Sequence, residues 1–192
     1  MSYLANAGQL LIDFTFGALI ALVILRVLLQ CVRANFYNPI CQFLYKLTNP
    51  VLMPLRKIIP AWRNLDLAGI LLAWLLSAIK LALLYTLAGQ GLGVLGLAVM
   101  ALADLADFVL VLYLGLILVR VLLSFVSLER SNPVVPLVFQ LTEPVLMPLR
   151  RILPPIGGLD LSPLGAWLIV LLARVLLVAP VLDLGMRLAQ GS

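Results

Sequence analysis

Eight ionisable residues form two matched sets: Asp13, Arg26, Asp66 and Lys80, then Asp107, Arg120, Asp160 and Arg174, each 94 positions further on. All lie inside or at the ends of long apolar stretches, where a charge is costly and is usually either paired or functional. At 1.5 Å per residue, Asp13 and Arg26 stand about 20 Å apart along a helix, and Asp66 and Lys80 about 21 Å. Two antiparallel helices would therefore bring Asp13 level with Lys80 and Arg26 level with Asp66. The second set repeats this, with Asp107 beside Arg174 and Arg120 beside Asp160. The spacing predicts a ladder of ion pairs in each half. Asp13 and Arg26 point about 140° apart on one helix, so they serve different neighbours. The alternative is that each Arg or Lys snorkels to the nearer interface.

Catalysis and metal binding have little to work with. The chain has no histidine, which removes the commonest general base and metal ligand. Its two cysteines, Cys31 and Cys41, have no further Cys or His to complete a metal site and read as inert small residues. No phosphate-cradling glycine loop follows a strand, and Met53 and Met147 read as apolar contacts rather than haem ligands. No cofactor is expected, and the chain reads as not an enzyme. Thirteen Lys and Arg against eight Asp and Glu give a net charge of +5. The basic residues are dispersed among Leu and Pro without interleaved aromatics, so no nucleic-acid partner is expected.

The apolar stretches dominate the 192 residues. Sixty-four per cent are hydrophobic and only 11% charged, against about 45–50% and 25% in soluble domains. With a mean hydropathy of +1.18, the chain is a polytopic membrane protein. Leu10 to Gln30 exceeds a signal-peptide core in length and has no Lys or Arg before Arg26, so it reads as a retained first span.

The 94-residue offset extends well beyond the charges. Asn38-Pro39 matches Asn132-Pro133, and the run Leu47 to Arg56 matches Leu141 to Arg150, sharing Leu-Thr-x-Pro-Val-Leu-Met-Pro-Leu-Arg. The chain is two tandem copies of one unit, residues 1–93 and 94–192. Each copy reads as helix, Pro-rich amphipathic loop, helix, with spans near 10–32, 67–88, 105–127 and 161–182. The uncharged stretch 81–103 contains Gly89, Gly91, Gly93 and Gly96. It reads as a turn and a lead-in to the third span, not a fifth crossing. The fold expected is an all-α membrane protein of four transmembrane helices. Both copies enter the membrane the same way, related by an axis along its normal. Arg33, Lys46, Arg56, Lys57, Arg63, Arg130, Arg150 and Arg151 fall in the two repeated loops, and only Arg187 falls in the tails and turn. That asymmetry places the loops in the cytoplasm and the termini outside.

In the second loop, Thr142-Glu143-Pro144 looks like a helix start with Thr142 as N-cap and Pro144 in the first turn. A short helix over Val145 to Leu153 would then lie in the headgroup layer, with Arg150 and Arg151 at lipid phosphates. Gly157 and Gly158 permit a sharp turn, and Ser162-Pro163 reads as N-cap and first residue of the last span. The loop reads as an interfacial elbow; the alternative is a half-inserted segment lining a pathway.

Leu-Thr-x-Pro-x-Leu-x-Pro-x-Arg followed by Gly-Gly-x-Asp-x-Ser-Pro resembles the YggT family, also called YlmG, over nearly the whole chain. The second copy carries the pattern at Thr142, Glu143, Pro144, Leu146, Pro148, Arg150, Arg151, Pro154, Gly157, Gly158, Asp160, Ser162 and Pro163. The first copy departs, with Asn49 for the Glu, Trp62-Arg63-Asn64 in the Gly-Gly region and Ala68-Gly69 for Ser-Pro. The resemblance implies an integral membrane protein of bacterial or plastid type. Members are associated with osmotic tolerance, the cell-division neighbourhood, and cytochrome maturation or nucleoid distribution in plastids. The expected function is a non-enzymatic inner-membrane scaffold or assembly factor, since the span faces are Leu, Val and Ala. The alternative is a small channel or transport component linked to osmotic tolerance. The expected partners are the lipid bilayer and other membrane proteins, and a homo-oligomer is also allowed.

Overall fold

The computed structural model describes residues 3–60, 63–125, 132–153 and 160–190. These residues form six helices: α1 Tyr3–Cys31, α2 Pro39–Ile58, α3 Leu67–Leu87, α4 Val94–Phe125, α5 Val134–Ile152 and α6 Ser162–Gln190. Four of them, α1, α3, α4 and α6, are long and apolar enough to cross a membrane. The other two are the elbows, amphipathic helices between the two spans of each copy. The protein is an all-α, multi-pass membrane protein.

Local chemistry starts and stops these helices. Asn38 and Asn132 do the same work 94 residues apart: each side-chain oxygen accepts a backbone N–H two residues on, Ile40 and Val134, at 2.9 Å. The Asn-Pro pairs thus open the elbow helices. At the other end of the unit, α3 stops in a Schellman turn. Gln90 N–H donates to Tyr85 O and Gly89 N–H to Thr86 O. Gly89 sits at φ +71, the left-handed conformation that this turn requires. Val94 then begins α4, so the glycine-rich stretch is a turn and a lead-in, not a crossing.

The second elbow corrects the sequence reading. Thr142 is not an N-cap, because α5 begins eight residues earlier and runs through Pro144 and Pro148. An interior proline costs about 3 kcal/mol in a free helix. The elbow persists because Leu137, Val138, Leu141, Thr142 and Leu146 are buried and Thr142 Oγ1 donates to Val138 O at 2.7 Å. The carbonyls that the prolines leave without donors, on Gln140 and Pro144, belong to exposed residues, where water or headgroups can bond to them. Ser162 is not the cap of α6 either. Asp160 Oδ1 accepts the Ser162 N–H at 2.9 Å, and Pro163 follows as the second residue of the helix. The expected Gly157–Gly158 turn and Pro154 lie outside the described residues.

The spans pack in the order α1, α3, α4, α6, with α2 against α1 and α3 and α5 against α4 and α6. Between lipid-exposed helices there is little hydrophobic gain, so close approach of small residues carries the packing. Ala73, Ala101 and Ala103 are buried. A Cβ on Gly96 would overlap the Ala189 backbone, and one on Gly185 would run into Met100. The elbows meet each other as well. Asn38 Nδ2 donates to Pro133 O at 2.7 Å, and Leu29, Ala34, Cys41, Leu44, Leu137 and Leu141 form one cluster.

Candidate functional site

Two charge layers separate along the spans. At the elbow end, the first span of each copy sends an arginine under its elbow. Arg26, only 2% exposed, donates to Thr48 Oγ1 at 2.5 Å and to Asn49 Oδ1 at 3.4 Å. Arg120 donates to Thr142 Oγ1 at 2.8 Å and to Glu143 Oε2 at 2.7 Å. Each guanidinium also lies over an aromatic ring of its elbow, Tyr45 at 4.6 Å and Phe139 at 4.5 Å. These contacts use the fixed fork and flat face of arginine, which lysine lacks. The threonine hydroxyl accepts from the arginine while donating to its own helix carbonyl, Leu44 O or Val138 O.

A second arginine ties each elbow to the next span. Arg56 pairs with the fully buried Asp66, whose carboxylate also accepts the Gly69 N–H at the start of α3. Arg150 Nε pairs with Asp160 Oδ2 at 2.9 Å, and Asp160 caps α6. Burial works to raise the Asp160 carboxyl, but Ser162 and Arg150 hold it below its ordinary value. In the second copy Glu143 bridges both arginines, with Oε1 3.1 Å from Arg150 Nη1. Asn49 replaces it in the first copy, and there Arg56 reaches Gln30 instead.

The pairings predicted for this layer are therefore not the ones formed. Arg26 does not pair with Asp66, nor Arg120 with Asp160. Depth arithmetic placed them level, but α2 and α5 pack against both spans of their copies and supply nearer partners. Arg150 was expected at lipid phosphates, yet it is engaged within the protein. Arg151 and Lys57 remain exposed beside it and beside Arg56.

The other layer lies about 20 Å away along the spans. Asp107 and Arg174 do meet there, Nε to Oδ1 at 2.6 Å and Nη2 to Oδ2 at 3.0 Å. Lys80 does not pair with Asp13. Its Nζ sits 2.7 Å from Asp104 Oδ1, and Ser77 donates to the same carboxylate at 2.5 Å. This links α3 of the first copy to α4 of the second, as does Trp74 Nε1 donating to Ala98 O at 3.1 Å. Asp104 was not singled out from sequence, because the repeat aligns it with Leu10. Its i, i+3 relation to Asp107, which puts both on one helix face, was the available signal. Arg174 opens a π turn, Arg174–Val178, closed by Ala179 N–H to Arg174 O. Pro180, two residues beyond that turn, cannot donate to Leu176 O, and a π turn is one way of absorbing the loss. Thr86 stands at the matching place in the first copy, where α3 stays regular. Between α3, α4 and α6 a cleft of about 600 Å³ is lined by Leu81, Tyr85, Asp104, Asp107, Arg174 and Val175.

No group of three or more Cys, Asp or Glu poised for a metal occurs among the described residues. Cys31 and Cys41 are unpaired, and burial pushes the Cys41 thiol above its ordinary range. The same two-copy architecture appears in comparison with known proteins. The CCB3/YggT family profile matches residues 5–87 and again 99–181. The chain belongs to the CCB3/YggT family. Among similar proteins, YggT of Escherichia coli K12 is 38% identical over 154 residues, 80% of this chain and 78% of its own. An uncharacterized Pseudomonas aeruginosa protein, PA0392, is 39% identical over 176 residues, 90% and 89% of the two chains. A Vibrio alginolyticus protein named for the proC 3′ region is 43% identical over 170 residues, 83% and 86%. No solved structure matches. The residues that carry the pattern coincide with the elbow clamp: Thr142, Glu143, Arg150 and Asp160 join span, elbow and span.

Proposed function

We propose that this YggT-family protein is a non-enzymatic scaffold or assembly factor of the inner membrane, with both elbows cytoplasmic and both termini outward. The observation that supports this is how the charges are used. The elbow-end cations Arg26, Arg56, Arg120 and Arg150 hold spans and elbows in register, while the span surfaces stay apolar and open. Only 11–28% of each span's apolar stretch is buried, leaving broad faces for lipid or for other membrane helices. Photo-crosslinking side chains at the exposed Leu83, Leu118 and Leu168 of α3, α4 and α6 test this in cells. At least one position is expected to give a discrete protein adduct. Lipid adducts alone at all three would contradict the scaffold reading.

A small channel or transport component is the second reading, favoured by the cleft that reaches Asp104 and Asp107. Against a continuous path, Ile117, Leu146 and Ala166 close the elbow end of the second copy in an apolar cluster. Solute flux through protein-containing liposomes would revive it.

Orientation rests on the basic residues of the elbows. In a background lacking Cys31 and Cys41, Met53→Cys and Met147→Cys are expected to resist an impermeant thiol reagent in intact cells. Gln90→Cys, in the turn between the copies, is expected to react. Labelling at both elbow positions without permeabilisation would invert the topology.

A further inference from the structure

Charge arithmetic in the outer layer leaves one acid over. By the repeat, Asp13 stands at the depth of Asp107, about 20 Å from the arginine of the elbow layer. Three carboxylates, Asp13, Asp104 and Asp107, share this region with two cations, Lys80 and Arg174. Both cations are taken, by Asp104 and Asp107. Asp13 is exposed and has no hydrogen bond or ion pair among the described residues. Its surroundings are equally uncovered: Leu10, Leu11 and Phe14 are 63–75% exposed, and no residue of α1 before Ile20 is buried. A bare carboxylate in a membrane-spanning helix is costly and calls for a partner. The second copy shows what such a partner looks like, an arginine on a neighbouring span.

We propose that the outer half of α1 is a docking face for a transmembrane helix of another protein, one that carries a Lys or Arg opposite Asp13. Charge complementarity selects this occupant. A second copy of this chain offers no spare cation at that level, since its Lys80 and Arg174 are engaged, whereas a partner span bearing one basic residue supplies it. The proposal rests on the scaffold reading and names the chemistry of the partner. In the α3–α4 contact, Lys80 and Asp104 already join two repeats in this way.

The test uses the full chain in its native membrane, with a photo-crosslinking side chain at Leu10, Leu11 or Phe14 and sequencing of the crosslinked peptide. The expected result is one discrete adduct to a different protein, joined at a span that contains Lys or Arg. Asp13→Lys is expected to reduce it at least about tenfold through like-charge repulsion, while Asp13→Glu keeps most of it. Unchanged thermal midpoints for both variants separate loss of docking from loss of fold. An adduct to a second copy, to lipid alone, or one insensitive to Asp13→Lys would overturn the proposal. If α1 gives no protein adduct while Leu83, Leu118 or Leu168 does, this face is wrong and the scaffold reading survives.

Discussion

Gly96→Ala is expected to lower stability by about 3 kcal/mol, the upper range for overpacking a tight contact. The added methyl would overlap the backbone of Ala189, and backbone cannot rotate aside as a flexible side chain can. Helices α4 and α6 would have to separate where Gly93 N–H also donates to Ala189 O at 3.2 Å. Gly185→Ala meets both the side chain and the backbone N of Met100 across the same contact and is expected to act in the same direction. Gly115→Ala is the control, because nothing lies within 4 Å of its new methyl. It is expected to be neutral or to stabilise by up to about 1 kcal/mol, through helix propensity alone. Thermal unfolding in nanodiscs compares the three. Equal effects at Gly96 and Gly115 would mean that α4 and α6 are not in close contact at this end.

Arg120→Gln is expected to cost about 2–3 kcal/mol, the range for losing hydrogen bonds to a charged group. Three bonds go with it, to Thr142, Glu143 and the Phe139 carbonyl, together with the stacking on the Phe139 ring. Arg120→Lys is expected to recover only part of this, since an ammonium cannot replace the fork or the flat stacked face. Limited proteolysis of the second elbow gives an independent readout. Arg120→Gln is expected to accelerate cleavage there, and unchanged cleavage would detach the arginine from elbow positioning.

Much of this architecture was legible in the residues. The 94-residue offset, the four apolar runs and the glycine-rich turn led directly to the spans and to the meeting of Asp107 with Arg174. What misled was local punctuation and depth. Thr142-Glu143-Pro144 read as a helix start, yet a buried apolar face and Asn132 carry one helix through Pro144 and Pro148. Depth along two spans placed Arg120 level with Asp160, but said nothing of a third helix packed against both. Asp104 stayed invisible because the repeat offers Leu10 in its place, so one of the contacts that join the two copies also breaks their symmetry. Pro180, without a counterpart in the first copy, likewise bends only the last span into a π turn.

The central claim is that the arginine of the first span holds its elbow, and that the elbow in turn holds the second span. A double-mutant cycle on Arg120→Gln and Glu143→Gln, read as thermal stability in nanodiscs, tests it most directly. The double variant is expected to be less damaged than the sum of the singles, by about 1 kcal/mol for this half-exposed acid. The cycle of Arg120→Gln with Asp160→Asn, residues that do not touch, is expected to show the smaller coupling. A larger coupling for Arg120 with Asp160 than with Glu143 would contradict the clamp and restore a direct span-to-span pair.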